Sequence, residues 1–260
     1  MLTHRIWERN WIAGKFIYED SLDSTNLEGI RKADELPHGT VIVAETQTAG
    51  MGRSGRKWES PKGENLYFSI LLKPTFAKEK TPMLTLVMAV AVARAIAHVT
   101  GADAEIKWPN DIILNNKKVC GILTQMQISK EGETQVIIGT GINVNQQVFD
   151  ETVLPYATSI QNEVHDVCSR ENLLQAVLLE FEELYDTFEA EGNLVFLQEE
   201  YENLMVNDLQ GVRVLDPKGE YEAVALGINE LGELIVQKED GTTEAIYAGE
   251  VSVRGLYGYV

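Results

Sequence analysis

Short blocks of hydrophobic positions, separated by turn residues, run along most of the chain. Ser24 and Thr25 are typical helix caps, and the segment NLEGIRKADEL that follows predicts a helix ending before the next proline. The β-branched segment GTVIVAET and the segment NLYFSILLKP then predict two strands on either side of a polar, glycine-rich loop. Residues 81–99, TPMLTLVMAVAVARAIAHV, are apolar on nearly all sides, which is typical of a buried core helix.

The next segments change the pattern from helix to hairpins. AEIKW, DIILNN, KVCGILTQMQI and TQVIIGTGINVN follow one another across short turns, which predicts a mainly antiparallel sheet. Apolar residues at helical spacing then predict an amphipathic helix over residues 170–190, with an acidic outer face. From Gly211 onward, five short β segments alternate with turn signals. We therefore expect an α+β fold, with a mixed, mainly antiparallel sheet and helices in residues 1–208 and a small all-β domain in residues 209–260.

The charge of the chain limits its partners. The 260 residues carry a formal net charge of −18, which argues against a protein that binds nucleic acid or anionic membranes without specificity. An anionic ligand would need a local basic pocket, and residues 47–62 offer one with Arg53, Arg56, Lys57 and Lys62 against the single acid Glu59. On charge alone, a solvated basic hairpin tip explains this segment equally well.

Two further features bear on the compartment. Cys120 and Cys168 lie far apart and lack metal-ligand spacing, which favours free thiols in a reducing cytoplasm over a disulfide. The amino-terminal segment MLTHRIWERNWIAG has no apolar run of signal-sequence length, and no segment approaches the roughly 20 apolar residues of a membrane span. We therefore expect a soluble cytoplasmic protein.

The basic segment, AGMGRSGRKWESPKGENLYFS, raises the question of phosphate binding. Gly50 and Gly55 have the spacing of a P-loop, but the P-loop then requires Lys and Ser or Thr, whereas Gly55 is followed by Arg56 and Lys57. A helix should also start at the last glycine, yet Pro61 and a further glycine interrupt the segment. Both points exclude a P-loop and leave a flexible loop whose guanidinium groups suit anionic oxygens.

Two other segments combine polar and apolar residues. KWPNDIILNNKKVCGIL, residues 107–123, places Lys107, Asn110 and Asp111 among residues suited to a buried sheet, although a hairpin with these side chains in water would read the same way. IGTGINVNQ, residues 138–146, has glycines that permit close approach of a ligand and is followed by amide side chains, although a bulged strand would look similar.

Taken in order, these segments resemble the biotin protein ligase family. The resemblance rests on DSTN at 23–26, GMGRSGRKW at 50–58, KWPNDI at 107–112, KKVCGIL at 117–123 and GTGINVN at 139–145, with the small β domain at the end. It implies a class II synthetase-like catalytic domain followed by an SH3-like barrel. Only 22 residues precede DSTN, so we expect the monofunctional form that lacks an amino-terminal DNA-binding domain.

The family's reaction is implied by the same resemblance. Biotin attacks the α-phosphate of ATP, with Mg²⁺ present, to give biotinyl-5'-AMP and pyrophosphate. A lysine of a biotin carboxyl carrier protein, which belongs to a biotin-dependent carboxylase such as acetyl-CoA carboxylase, then takes the biotinyl group. We expect no nucleic-acid or membrane partner, and a homodimer is an open possibility.

The resemblance also assigns residues. Lys118 would bridge the biotin carboxylate and the α-phosphate, Arg53 would hold the adenylate, and Asp111 would orient Lys118 or ease proton loss from the acceptor amine. The implied biotin-binding residues are Ser24, Thr25, Asn26, Gln47, Gly50, Met51, Gly52, Arg53, Lys118 and Gly121. The implied ATP- and adenylate-binding residues are Arg53, Arg56, Trp58, Lys107, Asn110, Lys118 and Asn143, with Arg56 on the outgoing pyrophosphate and Trp58 over the adenine. No metal ligands are assigned.

The sequence alone leaves some points open. Met51 stands where many relatives have Arg, so its share of anion binding must come from backbone N–H groups or be absent. The loop is expected to act as a gate that orders over the adenylate. Two other functions compete: a related ligase or transferase acting on lipoate or octanoate, and a non-enzymatic protein that sequesters biotin, against which Lys118 and Arg53 argue. The edge strands and the acceptor carboxylase are not indicated.

Overall fold

The computed structural model describes residues 11–216, 219–247 and 252–255, and it contains two sheets. The larger sheet has seven strands in the order β1-β2-β3-β7-β6-β5-β4. They are β1 (Phe16–Glu19), β2 (Thr40–Ala44), β3 (Leu66–Leu72), β4 (Glu105–Lys107), β5 (Asp111–Leu114), β6 (Lys117–Ile128) and β7 (Thr134–Ile142). Only the β1–β2 pair is parallel, and the other neighbouring strands are antiparallel.

Helices cover the larger sheet. They are α1 (Thr25–Lys32), α2 (Met83–Thr100), α3 (Ile160–Val164), α4 (Arg170–Glu191) and α5 (Val195–Leu204). Ser24 caps α1 by accepting a hydrogen bond from the Leu27 backbone N–H, and Ser169 caps α4 in the same way. α4 begins and ends within a residue of the predicted bounds, whereas α1 ends earlier than the sequence predicted.

α2 forms the centre of the apolar core. It packs against α4 and against strands β4, β5 and β6, and its buried residues belong to one apolar cluster with residues of β3 and β7. Every residue of β3 is buried. By length and composition alone, Lys78–Thr100 could cross a membrane, in contrast to the expectation that no segment approaches that length. In the part of the chain that the structure describes, 67% of an 18-residue apolar window of this stretch is buried inside the protein, as in a core helix.

The smaller sheet is all antiparallel and has the order β11-β10-β9-β8-β12. Its strands are β8 (Gly211–Leu215), β9 (Tyr221–Ile228), β10 (Leu234–Lys238), β11 (Thr243–Ile246) and β12 (Ser252–Gly255). The Trp108 indole N–H donates to the Gly232 carbonyl (3.0 Å) and so joins this sheet to the larger one. The predicted fold class is confirmed, while the division at residues 208 and 209 stays a prediction.

Several details differ from the sequence predictions or lie beyond them. β1 and α5 were not predicted, and β1 and β4 are the edge strands of the larger sheet. β7 pairs with both neighbours without a bulge, and the register shift lies between β5 and β6 instead. Both cysteines are buried free thiols, as expected. Most of the amino-terminal segment, and parts of the last two predicted β segments, lie outside the described residues.

Candidate active site

A cavity of about 630 Å³ opens between the start of α1, the loop after β2, and strands β4 to β7. Of the residues that the resemblance assigned to the site, all but Gly50 line this cavity. They are Ser24, Thr25, Asn26, Gln47, Met51, Gly52, Arg53, Arg56, Trp58, Lys107, Asn110, Asp111, Lys118, Gly121 and Asn143. The Gly50 carbonyl instead accepts a hydrogen bond from the Trp58 backbone N–H (2.9 Å) within the loop.

One end of the cavity is a cluster of buried amide and hydroxyl groups. The Asn26 side-chain amide donates to the Leu123 carbonyl (3.1 Å) and to Gln125 Oε1 (2.8 Å). Its oxygen accepts from the Ser69 hydroxyl, at 2.6 Å. Because all its polar atoms are engaged by the protein, Asn26 is held in one orientation.

Thr25 and Gln47 lie beside Asn26 at the same end. Gln47 Oε1 accepts from the Thr25 backbone N–H (2.9 Å) and lies 3.3 Å from the Thr25 hydroxyl. The Gln47 amide nitrogen donates to the Ser60 hydroxyl (3.3 Å). These contacts join the start of α1 to the loop, so this end of the cavity carries ordered donors and acceptors without a net charge.

The opposite end carries charge. The Lys118 ammonium donates to Asp111 Oδ1 at 2.5 Å, and the Asn110 amide donates to the same oxygen at 3.1 Å. The Arg53 guanidinium donates to Asn110 Oδ1 at 2.9 Å. Burial lowers the pKa of Arg53 below its ordinary value, partly opposed by the Asp111 charge. The starts of β5 and β6 and the loop thus place one cation on the Asp111 carboxylate and a second cation on its neighbour Asn110.

A further segment fixes the backbone of Lys118. The Lys118 N–H donates to the Tyr156 carbonyl (2.8 Å), and the Thr158 N–H donates to the Lys118 carbonyl (2.9 Å). The chain after β7 therefore runs along the start of β6 as one additional bridge. This pairing sets the direction in which the lysine side chain leaves the sheet.

Between the two ends, the Trp58 ring lies on a floor of glycines. A Cβ added at Gly141 would lie 2.6 Å from the indole Nε1, and one added at Gly121 would lie 3.0 Å from the ring. The indole N–H is buried and has no hydrogen-bond partner. The Lys118 ammonium lies 5.4 Å from the ring centroid. Glycine is therefore required at both positions for the aromatic ring to lie flat on the strands.

The loop that carries Trp58 is a small closed hairpin. Met51 pairs with Lys57 as an antiparallel bridge, and the Gly52 N–H donates to the Arg56 carbonyl (2.7 Å). The chain makes a single 3-10 turn over Arg53–Gly55 and then continues to β3 without a helix, in agreement with the exclusion of a P-loop. Met51 and Arg56 are exposed at the cavity mouth.

The described residues contain no cluster of three or more His, Cys, Asp or Glu side chains that could hold a metal ion. Asp111 and Glu59 are the carboxylates among the lining residues. A magnesium ion brought by a triphosphate usually needs only one or two protein carboxylates. The donor set therefore fits a nucleotide-borne ion better than a dedicated protein cage.

Some lining residues were missed by the sequence reasoning. The segment after β7 contributes apolar and aromatic walls to the cavity. Its sequence has no periodicity, and the only hint of these walls is a few apolar residues among polar ones. They are Phe149, Val153, Tyr156 and Ala157. Val253 of the small sheet also reaches the cavity. Behind the lining, Ser69 and Gln125 were missed because single polar residues in strands usually face solvent.

The chain is similar in sequence to known protein ligases. Residues 16–143 match the Biotin/lipoate A/B protein ligase family, and residues 210–254 match the Biotin protein ligase C terminal domain. The chain is 38% identical to the Bifunctional ligase/repressor BirA of Bacillus subtilis over 91% of this chain and 73% of that protein. It is 36% identical to the Biotin--[acetyl-CoA-carboxylase] ligase of Paracoccus denitrificans over 58% of this chain and 65% of that protein.

A solved structure gives the same result. Biotin protein ligase from Aquifex aeolicus, in complex with biotin and ATP, superposes with a TM-score of 0.83 at 32% identity, covering 93% of this chain and 99% of that one. The fold of this chain is thus shared with a biotin protein ligase. The chain belongs to the biotin/lipoate A/B protein ligase family, as the sequence motifs predicted.

Proposed function

We propose that this protein is an ATP-dependent biotin–[biotin carboxyl-carrier protein] ligase. It joins the biotin carboxylate to the α-phosphate of ATP, giving biotinyl-5'-AMP and releasing pyrophosphate. The amine of a carrier lysine then attacks the carbonyl carbon of that anhydride. An amide bond forms, the bond to AMP breaks, and the amine loses a proton. Family membership, and the biotin and ATP bound to the Aquifex relative, support this function.

The observation that carries the proposal is the division of one cavity into an uncharged hydrogen-bonding end and a cationic end. Biotin has a neutral ureido head and an anionic tail, so the two ends match its two halves. The ammonium of Lys118 and the guanidinium of Arg53 lie where two anions, a carboxylate and a phosphate, would have to meet. Neutralising and aligning them is the main contribution a protein can make to this substitution.

At the uncharged end, Ser24, Thr25 and Gln47 bind the ureido head. Asn26 takes part chiefly by holding its neighbours in place, because its own amide is already engaged. Gly121 and the loop backbone from Gly50 to Gly52 surround the ring system, and Met51 contributes no charge there. Small residues allow the strands to approach a flat ligand closely.

At the cationic end, Lys118 bridges the carboxylate and the α-phosphate, and Arg53 retains the adenylate. Asp111 positions Lys118 through the 2.5 Å hydrogen bond and eases proton loss from the acceptor amine. Arg56, exposed at the mouth, meets the outgoing pyrophosphate. Charged groups that are already in place when charge develops need no reorganisation during the reaction.

For the nucleotide base, Trp58 provides an aromatic surface, with Asn110 and Asn143 near the base edge and the buried Lys107 behind them. The Asn143 amide donates to the Thr158 carbonyl (3.0 Å), which fixes the orientation of its side chain. Mg²⁺ enters with the triphosphate and neutralises part of its charge, and Asp111 is the carboxylate closest to the reacting groups.

The carrier partner is the biotin carboxyl carrier domain of a biotin-dependent carboxylase, as the name of the Paracoccus relative indicates for that protein.

We place the reaction in the cytoplasm and keep the two-domain division at residue 208 as part of the proposal. A homodimer also remains a prediction. The loop over residues 50–58 acts as a gate, shielding the anhydride from water.

A transfer assay tests the proposal. The purified protein is incubated with labelled biotin, ATP, Mg²⁺ and a carrier domain, and the label on the carrier lysine is measured by mass spectrometry. Labelled carrier supports the ligase. Tight retention of biotin without transfer would identify a sequestering protein. Transfer of octanoate or lipoate in place of biotin would identify the other acyl ligases of the family.

A further inference from the structure

Arg170, the first residue of α4, reaches the loop that carries Trp58 and Arg53. Its Nη1 donates to Glu45 Oε2 (2.9 Å) and to the Asn65 carbonyl (3.0 Å). Glu45 and Asn65 are the residues on either side of the loop over residues 46–64. One guanidinium therefore joins both roots of that loop to a helix.

Asn65 extends the connection to the second segment that lines the cavity. Its side-chain oxygen accepts from the Val144 N–H (2.9 Å), and its amide donates to Gln146 Oε1 (2.7 Å). The Gln146 amide in turn donates to the Val148 carbonyl (2.9 Å). The roots of both lining segments, residues 46–64 and 146–157, thus belong to one hydrogen-bonded cluster.

The cluster is buried and its charges are matched. Glu45 and Asn65 are 5% and 0% exposed, and the Arg170 side chain is 14% exposed. Burial would raise the pKa of Glu45, but hydrogen bonds from Arg170 and Tyr18 outweigh it and lower that pKa. Burial and the hydrogen bond to Glu45 raise the pKa of Tyr18 to about 12. Removal of any one member would leave a polar group buried without its partner.

The place of Arg170 in its own helix also calls for an explanation. The amino terminus of a helix favours negative charge, so a cation in the first turn is locally unfavourable. Ser169 and Glu171 on either side follow the usual preference, and Arg170 does not. The contacts with Glu45 and Asn65 account for the exception.

We propose that Arg170 is a positioning residue that holds the roots of both cavity-lining segments, so that Gln47, Arg53 and Trp58 are presented to the substrates together. The inference rests on the proposed function for what those segments bind. Loosening the roots lowers the fraction of protein in the binding-competent arrangement. It therefore weakens apparent binding of both substrates while the chemistry, once they are bound, continues as before.

The first test follows the loop without any substrate. Trypsin can cut after the exposed Arg56 and Lys57, and the rate of that cut reports opening of the loop. Arg170→Met should be cut about tenfold faster than the wild type, the factor expected for loss of one charge-assisted hydrogen bond. The matched control is Arg94→Met, since Arg94 is likewise a half-buried arginine in ion pairs, but with Glu180 and Glu200 on α4 and α5 and away from the loop. It should be cut within twofold of the wild-type rate.

The second test separates positioning from stability. In the double variant Glu45→Met/Arg170→Met no charge is left buried alone, so its Tm should be higher than that of Arg170→Met. The connection between α4 and the loop over residues 46–64 is still absent. We expect this double variant to keep the fast loop cut and a KM raised about tenfold for both biotin and ATP, with kcat within about twofold of the wild type. Wild-type cleavage and KM in the double variant would overturn the inference, as would an equal KM change in Arg94→Met.

If Arg170→Met does not fold, the cleavage rates of Arg170→Lys and of the double variant test the inference instead. Lysine restores the charge but not the fork of donors, so its loop should be cut at an intermediate rate. Cutting of both variants as slowly as the wild type would overturn the inference. The cleavage test needs neither biotin nor ATP. A wild-type protein that labels no carrier would therefore refute the proposed function and leave the result for Arg170 standing.

Discussion

The Lys118 ammonium lies 2.5 Å from Asp111 Oδ1, across the neighbouring strands β5 and β6. Lys118 is therefore paired without any substrate, and in the proposed reaction its charge would already be in place at the α-phosphate. An interaction that is stronger in the transition state than in the ground state raises the rate of the chemical step and contributes less to substrate binding.

Lys118→Ala should therefore lower the rate of adenylate formation by about 10² to 10³, the usual loss for one preorganised electrostatic group. Biotin affinity should change little. Pyrophosphate release measures the rate and calorimetry measures biotin binding. Lys117→Ala is the matched control, since Lys117 is the adjacent lysine of β6 and does not line the cavity. Loss of biotin affinity with an unchanged first step would contradict the role of Lys118.

The uncharged end depends on Gly139. A Cβ added there would lie 2.6 Å from Asn26 Cγ, and Asn26 cannot move without breaking its hydrogen bonds. Gly139→Ala should weaken biotin binding and lower the free energy of unfolding by about 1 to 3 kcal/mol, as for other overpacked sites.

Gly14→Ala is the control for Gly139→Ala, because an added Cβ there meets only the Trp11 carbonyl, at 3.5 Å. Calorimetric titration with biotin and denaturant unfolding measure the two effects. Wild-type biotin affinity in Gly139→Ala would show that Asn26 does not organise this end of the cavity.

Trp58, in the loop after β2, and Tyr156, in the segment after β7, both line the cavity. Either aromatic ring could cover the adenine base of ATP. Trp58→Ala should weaken ATP more than biotin, by about 1 to 3 kcal/mol for the lost stacking surface. Tyr156→Ala, which removes a half-exposed ring near the mouth, should weaken ATP less. Titration of each ligand alone checks this order. An equal loss of biotin and ATP in Trp58→Ala would place its ring elsewhere than on the base.

The sequence predicted most strands and the two long helices, because their apolar residues recur at regular spacing. It missed β1, whose four residues FIYE are too short for a periodic signal. Arg170 was also missed, since its partner Glu45 lies 125 positions earlier and the contact depends on how α4 meets the sheet. The motif residues that line the cavity were predicted by their type and order. Their supporting partners in the fold were not, because no local pattern encodes them.

His38 makes stability depend on pH. Burial lowers the pKa of His38, and its Nδ1 accepts a hydrogen bond from the Lys73 N–H (3.0 Å). The unfolded chain therefore binds a proton more readily than the folded one, so stability present above about pH 6.5 is lost as the pH falls towards the lowered value. The loss is at most about 1.4 kcal/mol per pH unit.

His38→Asn keeps an acceptor oxygen but cannot titrate. Its Tm should fall less than that of the wild type between pH 7 and pH 5.5. Thermal unfolding followed by circular dichroism measures the difference. If both proteins lose the same Tm over this range, titration of His38 does not limit stability.

The Arg53 guanidinium donates to Asn110, beside the paired Lys118. If Arg53 retains the adenylate, Arg53→Gly should spare the first half-reaction, because Lys118 and magnesium remain, and should speed escape of biotinyl-5'-AMP. The released anhydride would then label exposed lysines of a bystander protein such as albumin. Lys62→Gly is the control, because Lys62 belongs to the same loop but pairs with Asp20. At equal ATP consumption, a bystander labelled no more by Arg53→Gly than by the wild type would show that another group retains the adenylate.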